Sequence, residues 1–592
     1  MLALPLLFAP ARAAGVYYVD GSSPSCALSG PGTETKPYCT ISAAVAAHNG
    51  AGTTIVVLPG MYREQVSIPV SGTPGSPFVL QAQGAGVVLD GSDDFSSPDL
   101  WAPVSGTTWL AASVTWGPVQ VFAAEARLAP WVAAVDSLPA GAFAWVSGQG
   151  LYVNLGGESP GLHGARVGHR SYGVTMYAKS WVVVEGFTVT RAESRGICLQ
   201  NACTNITVAR NHQSLSGDIG IQGVGGSGLV LEENVASDNL GHGIALIGGA
   251  TGCTLRDNEC FGNADPNARL ANGIYLFNAP ANTLCRNRLH HNQDSGMHLQ
   301  SGSNDCVAFN NMSWSNGDHG FDHLYATGTT HACDVAYGNY RDGFSIEGYA
   351  SGTHLHDCVA VENGLTTNRY DLWVDLNSTV GFESDYNVFW NSTAQSPVKY
   401  VTTPYATVAA YAAASGHDAN TFQADPRFVN GGAGDFHLRL DSPAIDSGDS
   451  GAPGWPVQDA AGMTREDDPA TPNTGVGSVS FADRGAFERA GSALGVPGGP
   501  FGGPTEVFPN PVTEGGTLRF ELPRPGPLRV RILDLAGRVV LTLADLRDAP
   551  AGRVELRLTG RDDEGGRLGP GVYFYRIEGV GGGAVGRFVL VR

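Results

Sequence analysis

The sequence predicts an all-β protein in which a long solenoid of stacked coils is followed by a small C-terminal β-sandwich. Three observations indicate this class. Glycine accounts for 81 of 592 residues, and each glycine inside a helix costs about 1 kcal/mol relative to alanine. Charged residues amount to only 15%, against about 25% in average globular proteins. In addition, a glycine-marked motif returns with a period in the low twenties, which is typical of a solenoid.

The N-terminal residues predict export. Residues 1–14 hold an apolar run and an A-x-A pattern, which indicate a truncated signal peptide. Cys26 and Cys39 flank a Gly/Pro/Ser loop, and we expect them to form a disulfide, which export permits. The other eight cysteines contain no C-x-x-C pair, so they predict either buried side chains or further disulfides, and a cysteine zinc site is poorly supported. No apolar run is long enough for a membrane span.

Seven glycines mark the repeat, each just before a short apolar strand. They are separated by 23 or 24 residues, with one interval of 30: Gly196, Gly220, Gly243, Gly273, Gly296, Gly320 and Gly343. Asparagines recur in two columns between them: Asn234, Asn258, Asn287 and Asn311 in one, and Asn239, Asn263, Asn292 and Asn316 in the other. Stacked coils share one core, and stacked asparagines can hydrogen-bond along the axis. The period favours a solenoid over a propeller, whose blades need about 40–50 residues.

This pattern resembles the right-handed parallel β-helix of pectate lyases and related polysaccharide-active proteins. Residues 17–83 look like the entry of many secreted β-helix proteins, with a short helix around Ile41–Ala47 capping the first coil. Residues 425–488 resemble the closing turns of such proteins. The resemblance implies a β-helix over 15–490, interrupted by a β excursion near 101–170.

The C-terminal part has a different pattern. Residues 491–505 are rich in Gly and Pro and predict a linker. Residues 506–592 alternate apolar and polar side chains over some seven short strands, which indicates an immunoglobulin-like β-sandwich. This unit looks like the flagellar-hook-capping-type domain and also resembles the type IX secretion sorting domain. Either resemblance implies an export or attachment module whose partner is the secretion or cell-surface machinery.

The net charge of the chain indicates which classes of binding partner to expect. The net charge of −20 leaves no basic footprint, so we do not expect nucleic acid as a partner. We expect a monomeric bacterial protein that is secreted or held at the cell surface.

One face of the central coils collects polar side chains. Because side chains alternate along a strand, residues that follow the inward-facing ones point outward. The inward set is Ile244, Ile274, Met297, Phe321 and Phe344, and the predicted exposed column is Ala245, Tyr275, His298, Asp322 and Ser345. The preceding turns add His242, Asp294, Asp318, His319 and Asp342, and two positions further on come Gln300, Leu324 and Glu347. From this face we expect Tyr275, His242 and His319 to bind substrate.

The aspartates of this face suggest a cation-binding site. Oxygen ligands from adjacent coils suit Ca²⁺, which takes six to eight oxygens. Asp294, Asp318 and Asp322 are similar to the calcium site of polysaccharide lyase family 9, in which a D-D-x-x-D run joins an Asp of the preceding coil. Here the second Asp of that run is replaced by His319. The resemblance implies Ca²⁺ as cofactor, with Asp342 as a further candidate ligand; the alternative is that an Asp before a Gly only forms a turn.

The same resemblance implies β-elimination from a uronate-containing polysaccharide. In that family the lysine of a D-G-F-x-x-K segment removes the proton α to the carboxylate while calcium stabilises the developing charge. Glu347 takes that lysine's place here, and Lys36, Lys179 and Lys399 are expected outside the central face. Arg341 or His298 then becomes the candidate base. For Arg341 the alternative is an ion pair with nearby carboxylates.

Two other functions stay open at this point. Asp322 and Glu347 lie on adjacent coils, as the two carboxylates of a glycoside hydrolase would. A non-catalytic surface, adhesive or structural protein with the same fold is the other alternative. The leading hypothesis is a secreted β-helix protein that binds or cleaves an acidic polysaccharide, by elimination in preference to hydrolysis.

Overall fold

The computed structural model describes residues 15–489 throughout. Further on it describes 506–508, 512–513, 515–522, 525–534, 538–550, 552–562, 566–579 and 582–591. The predicted signal peptide (1–14) and linker (491–505) lie outside these residues. The chain divides into two compact units: Met1–Asp467 with Thr471–Arg489, and Asp468–Ala470 with Ala490–Arg592.

The first unit is a parallel β-solenoid, as the sequence predicts. Its coils supply strands to three long sheets, named A, B and C here. Sheet A contains Val16–Val19, Thr54–Val57, Phe78–Ala82, Ser180–Glu185, Thr204–Ala209, Val230–Glu232, Thr254–Arg256, Thr283–Cys285, Val307–Phe309, Thr330–Ala332, His354–His356 and Glu383–Asp385. Sheet B contains Val66–Ile68, Tyr172–Tyr177, Arg195–Gln200, Ile221–Val224, Ile244–Ile247, Ile274–Phe277, Met297–Gln300, Phe321–Leu324, Phe344–Glu347, Leu372–Val374, Val398–Tyr400 and, antiparallel at its end, Thr403–Tyr405. Sheet C contains Gly60–Tyr62, Val87–Asp90, Thr188–Thr190, His212–Ser214, Val235–Ser237, Glu259–Phe261, Arg288–His290, Met312–Trp314, Val335–Tyr337, Val359–Val361 and Val388–Trp390.

The predicted inward column of sheet B is confirmed. Its five residues are fully buried in the core that the three sheets enclose: Ile244, Ile274, Met297, Phe321 and Phe344. The rings of Phe321 and Phe344 stack with centroids 4.8 Å apart. Burying each such side chain contributes about 1.5–3 kcal/mol, so the stacked coils share a continuous apolar core.

The recurring glycine has a steric cause. At Gly243 an added Cβ would lie 2.7 Å from the carbonyl oxygen of Gly273 on the next coil. The same clash, with the next coil's backbone oxygen at 2.6–2.7 Å, recurs at Gly220, Gly273 and Gly320. Only a residue without Cβ lets consecutive coils approach this closely, which is why the motif returns with every coil.

The asparagine columns form hydrogen-bonded ladders inside the turns. The first ladder runs through Asn211, Asn234, Asn258, Asn287 and Asn311 to Asp334, and the second through Asn239, Asn263, Asn292, Asn316, Asn339 and Asn363 to Asp371. Within each ladder, side-chain amide nitrogens donate to the oxygen of the next member at 2.8–3.1 Å. Buried backbone groups of the turns thereby find partners, as buried polar groups must.

Helices are few and short. The predicted capping helix is present at Ile41–Ala47, and a second α-helix spans Val408–Ser415. Single 3₁₀ turns lie at Pro98–Leu100, Val135–Ser137, Pro160–His163, Leu376–Ser378 and Gly431–Ala433. Among the described residues, no helix has the length and apolar character needed to cross a membrane.

The cysteines follow one of the two predicted alternatives. Cys26 and Cys39 form the expected disulfide. The remaining eight are free and buried, so they act as small apolar side chains and not as further disulfides: Cys198, Cys203, Cys253, Cys260, Cys285, Cys306, Cys333 and Cys358.

Between residues 92 and 168 the chain leaves the three long sheets and forms strands with an apolar core of their own. Its strands are Ser92–Asp94, Ala102–Ser105, Thr108–Ala111, Val121–Ala123, Ala126–Arg127, Ala129–Pro130, Ala142–Val146, Gly150–Asn154 and Arg166–Gly168. They form one four-stranded and one five-stranded sheet.

The closing segment packs against the outer side of sheet C. It contains a hairpin of Phe428–Asn430 and Asp435–Leu438. Phe428 and Phe436 pack with Trp314 and Val335 in a cluster on the outer side of sheet C. This segment therefore covers part of the outer side of sheet C, whereas the polar face predicted from the repeats lies on sheet B.

The second unit consists of two antiparallel sheets over one core, as a β-sandwich requires. The three-stranded sheet contains Glu506–Phe508, Gly516–Leu522 and Gly552–Leu558. The four-stranded sheet contains Val539–Ala549, Gly526–Leu533, Gly571–Gly579 and Gly582–Leu590. Its role in export or attachment stays a prediction.

Candidate functional site

The predicted outward column is in register on sheet B. Tyr275 lies opposite His298, His298 opposite Asp322, and Asp322 opposite Ser345. The prediction that the column is exposed is wrong for Asp322 and Ser345, which are buried, as is Ala245. Neighbouring strands are only about 4.8 Å apart, so side chains along the column cover one another.

The column continues beyond the repeats from which it was predicted. Ser345 is followed in register by Trp373 and then by Lys399. The Lys399 ammonium lies 5.2 Å from the ring centre of Trp373 and 5.9 Å from that of Tyr370. Lys399 was expected outside the central face, and the structure instead places it on the same outer face of sheet B, two strands beyond Ser345.

Asp322 is a buried carboxylate surrounded by imidazoles. Its Oδ2 accepts a hydrogen bond from the Ser295 hydroxyl at 3.3 Å and lies 3.7 Å from Nε2 of His298. Burial alone would raise the pKa of Asp322, but His298, His319 and the neighbouring His323 outweigh burial and lower it. Asp322 is therefore ionised at neutral pH.

Glu347 is the second carboxyl group of the site. It ends the strand next to that of Asp322, and its Oε1 accepts from the Ser345 hydroxyl at 3.3 Å. Burial, followed by the charge of Asp322, raises the pKa of Glu347 to about 7. Oxygen atoms of Glu347 and Asp322 and a ring nitrogen of His319 all lie within 4.8 Å of one another.

His319 supplies a positive charge to this group. Burial lowers the pKa of His319, but the carboxylates of Asp322, Asp342 and Asp318 outweigh burial and raise it to about 9. Its Nδ1 lies 3.3 Å from Oδ2 of Asp342. The carboxylate of Asp342 accepts from the backbone N–H of Tyr370 at 2.7 Å, and the backbone N–H of Asp342 lies 3.2 Å from Nδ1 of His319, so Asp342 orients His319.

Two arginines hold the remaining aspartates. Arg269 lies 2.6 Å from Oδ2 of Asp318 and 3.4 Å from Oδ1 of Asp294, and Arg341 lies 3.0 Å from Oδ1 of Asp318. Arg341 thus forms the ion pair that the sequence offered as its alternative to a base. Burial, then the charge of Asp318, raises the pKa of Asp294 to about 7.

This arrangement bears on the predicted calcium site. In the described part of the chain, the only group on sheet B with three ligand atoms within 4.8 Å is His319, Asp322 and Glu347. That group includes an imidazole, whereas calcium takes oxygen ligands. Both oxygens of Asp318 already face guanidinium groups, which a calcium ion at Asp294 and Asp318 would have to displace. The donor set of this structure does not fit calcium, and calcium binding stays a prediction from the resemblance alone.

Aromatic side chains flank the carboxyl pair. The rings of His242 and Tyr275 stack 4.2 Å apart, and the Tyr275 hydroxyl donates to Gln300. Burial lowers the pKa of His242 to about 3, so its ring is neutral. With Trp373 at the other end, the face offers flat apolar surfaces on both sides of Asp322.

Sequence reasoning missed three residues of this face. Arg269 comes from the one repeat interval of 30 residues, so the longer coil was its signal. Trp373 and Lys399 lie on coils that follow the last marked glycine, Gly343. On the first of these coils Asp371 takes the glycine's position, so the motif no longer marks the strand.

Comparisons with known proteins agree with the architecture. A family model described as "Right handed beta helix region" matches residues 143–278 and 172–332. The first unit is a right-handed parallel β-helix. No match is found among curated proteins.

Several solved structures are similar to this chain. One is a complex of XylC with xylose: identity is 14%, 64% of this chain and 76% of the other are covered, and the TM-score is 0.48. Another is pectate lyase Pel9A, at 18% identity over 80% of this chain and 96% of the other, with a TM-score of 0.44. A third is the mannuronan C-5 epimerase AlgE4 A-module of Azotobacter vinelandii, at 14% identity over 65% and 94%, with a TM-score of 0.30.

Proposed function

We propose that this β-helix protein hydrolyses glycosidic bonds of a polysaccharide, with Asp322 and Glu347 as its two catalytic carboxyl groups. One observation carries the proposal. One carboxyl oxygen of each residue lies within 4.8 Å of the other, on adjacent strands of sheet B. Retaining glycosidases hold their carboxyl groups about 5–5.5 Å apart, whereas inverting enzymes need about 6.5–9.5 Å to admit a water molecule.

The environments of the two groups fit different roles. Asp322 is held ionised by the imidazoles around it, so it suits the nucleophile. Its oxygen would form a bond to the anomeric carbon as the bond from that carbon to the leaving oxygen breaks. Glu347 keeps its proton up to about pH 7 and would deliver it to the leaving oxygen. Ionised Glu347 would then take a proton from the water that releases the sugar from Asp322.

The neighbouring side chains support a glycan as the ligand. Tyr275 and Trp373 lie on the same column as Asp322, on opposite sides of it. Aromatic rings of this kind provide stacking surfaces for sugar rings. In the described part of the chain Lys399 has no carboxylate partner within 4 Å. An ammonium that lies beside the Trp373 and Tyr370 rings and is not paired with a carboxylate suits a sugar that carries one, which is the basis for preferring an acidic polysaccharide.

β-Elimination from a uronate is the second candidate. It is favoured by His298, whose Nε2 is buried and finds no hydrogen-bond partner among the described residues, so this nitrogen is available to a substrate. In that reaction His298 would remove the proton α to the carboxylate, and the electron pair would expel the leaving oxygen.

We further infer that the protein works outside the cytoplasm. The Cys26–Cys39 disulfide supports this location, because disulfides persist in oxidising compartments. Attachment through the C-terminal unit is part of the same proposal.

One assay separates the candidates. The full chain is incubated with xylan, pectate, alginate and chondroitin, and reducing ends and absorbance near 235 nm are followed together. Hydrolysis releases reducing ends without absorbance, whereas elimination produces both. Glu347→Gln and Asp322→Asn should each remove at least about 99% of the activity. Glu232→Gln is the matched control, because Glu232 also ends a strand but pairs with Arg256 on sheet A.

The outcome of this assay distinguishes hydrolysis, elimination and binding without cleavage. Cleavage that survives Asp322→Asn and Glu347→Gln contradicts the carboxyl pair, and cleavage with absorbance near 235 nm replaces hydrolysis with elimination. Binding to a polysaccharide without cleavage of any member of the panel would favour the non-catalytic alternative.

A further inference from the structure

A second cluster of side chains that can bind a metal lies on the last two strands of sheet A. His354 and His356 are two positions apart on one strand, so both side chains leave the same face. Glu383 lies directly opposite His354 on the next strand. Nitrogen and oxygen atoms of the three residues lie within 4.8 Å of one another.

His354 and Glu383 already have the spacing of zinc ligands. Nδ1 of His354 lies 3.1 Å from Oε2 of Glu383. Zinc binds nitrogen and oxygen ligands at about 2.0–2.1 Å in a tetrahedron, which places neighbouring ligand atoms about 3.3 Å apart. The two atoms can therefore share one zinc ion after a shift of a few tenths of an ångström.

The environment of His356 is a second, independent indication of a metal site. His356 is only 9% exposed, and neither of its ring nitrogens has a hydrogen-bond partner among the residues that the structure describes. A buried polar group without a partner costs about 1–3 kcal/mol. Asp385 lies opposite His356 on the next strand but is not its hydrogen-bond partner. The oxygens of Asp385 accept from Tyr386 and Asn420 instead. A metal ion would satisfy one of these nitrogens.

We propose that His354, His356 and Glu383 bind one Zn²⁺ ion. Two imidazoles and one carboxylate are a common zinc donor set with water in the fourth position, whereas calcium takes only oxygens. Glu383–Asp385 is the last strand of sheet A, so it has a strand partner on one side only. The ion would tie this edge strand to its neighbour and stabilise the end of the sheet. This site is separate from the carboxyl pair and does not depend on the proposed hydrolysis.

Zinc binding to the full chain tests the proposal. Chelator-treated protein is titrated with ZnCl₂ by calorimetry, and Co²⁺ is added in parallel to detect the visible absorption of a tetrahedral site. We expect one zinc ion per chain, with the affinity lowered at least tenfold in His356→Gln. Zinc should also raise the melting temperature of the wild type and not that of His356→Gln.

Three further variants make the test decisive. Glu383→Gln should weaken zinc binding as His356→Gln does, and because Glu383 is exposed, its loss should not prevent folding. His437→Gln is the matched control and should bind zinc normally, since His437 pairs with Asp435 at 2.7 Å on an exposed hairpin. Zinc binding that is unchanged in both His356→Gln and Glu383→Gln would overturn the proposal. Loss of binding only in Glu347→Gln would also overturn it, because the ion would then lie on sheet B.

Discussion

Replacing Asn287 with alanine should destabilise the β-helix by about 4 kcal/mol. The side chain is fully buried and makes four hydrogen bonds. Its Nδ2 donates to the carbonyl of Leu255 and to Oδ1 of Asn311, both at 2.9 Å. Its Oδ1 accepts from the backbone N–H and Nδ2 of Asn258 at 3.1 and 3.0 Å. Each such bond contributes about 1 kcal/mol net, and unpaired buried partners add to the loss.

Urea unfolding followed by circular dichroism measures this difference. The exposed Asn473 provides the control, since Asn473→Ala removes the same atoms from the surface. Because each coil contacts only its neighbours, part of the effect can appear as local opening. Amide hydrogen exchange over residues 254–313 would then report faster exchange. A loss below about 1 kcal/mol with unchanged exchange would refute the idea that the asparagine ladder holds the coils together.

The remaining predictions concern the face of sheet B. Catalytic efficiency should fall as pH rises through about 7, because Glu347 then loses the proton it donates; an alkaline limit far from 7 would contradict its role as acid. Glu347→Gln should raise the unfolding free energy at pH 8 by about 1–3 kcal/mol and leave it unchanged near pH 4. The folded-state pKa of Glu347 lies above its ordinary value, so the wild type loses stability as pH rises between the two, and equal gains at both pH values would count against this. Trp373→Ala should raise KM about tenfold with little change in kcat, as expected for a stacking surface; an unchanged KM would remove Trp373 from the binding face. EDTA should leave hydrolysis unchanged in a short assay, and loss of activity that calcium restores would establish the calcium prediction instead.

The repeat made much of the fold predictable, because its causes are local. Gly243 and its equivalents recur where a Cβ would strike the next coil, and Asn287 and its equivalents recur where buried turns need partners. From these columns the register of sheet B follows, and so does the position of Asp322 beside His298. The adjacency of Asp322 and Glu347 was predictable for the same reason.

The repeat pattern does not predict the features of the site that come from irregular coils. Arg269 lies in an insertion outside the repeat period, so the period does not predict its ion pairs with Asp294 and Asp318. The burial of Asp322 results from the side chains beside it on the neighbouring strands, His298 and Ser345, which the alternation of one strand does not show. Lys399 joins the face only because the solenoid continues after the glycine motif has ended.

The stereochemistry of cleavage tests the carboxyl pair most directly. A substrate found in the polysaccharide panel is cleaved in an NMR tube, and the anomeric proton of the first product is recorded before it equilibrates. Carboxyl oxygens within 4.8 Å of each other predict that the product keeps the anomeric configuration of the substrate. A product released with the inverted configuration would contradict the account, because a water molecule would then attack where Asp322 is proposed to bind.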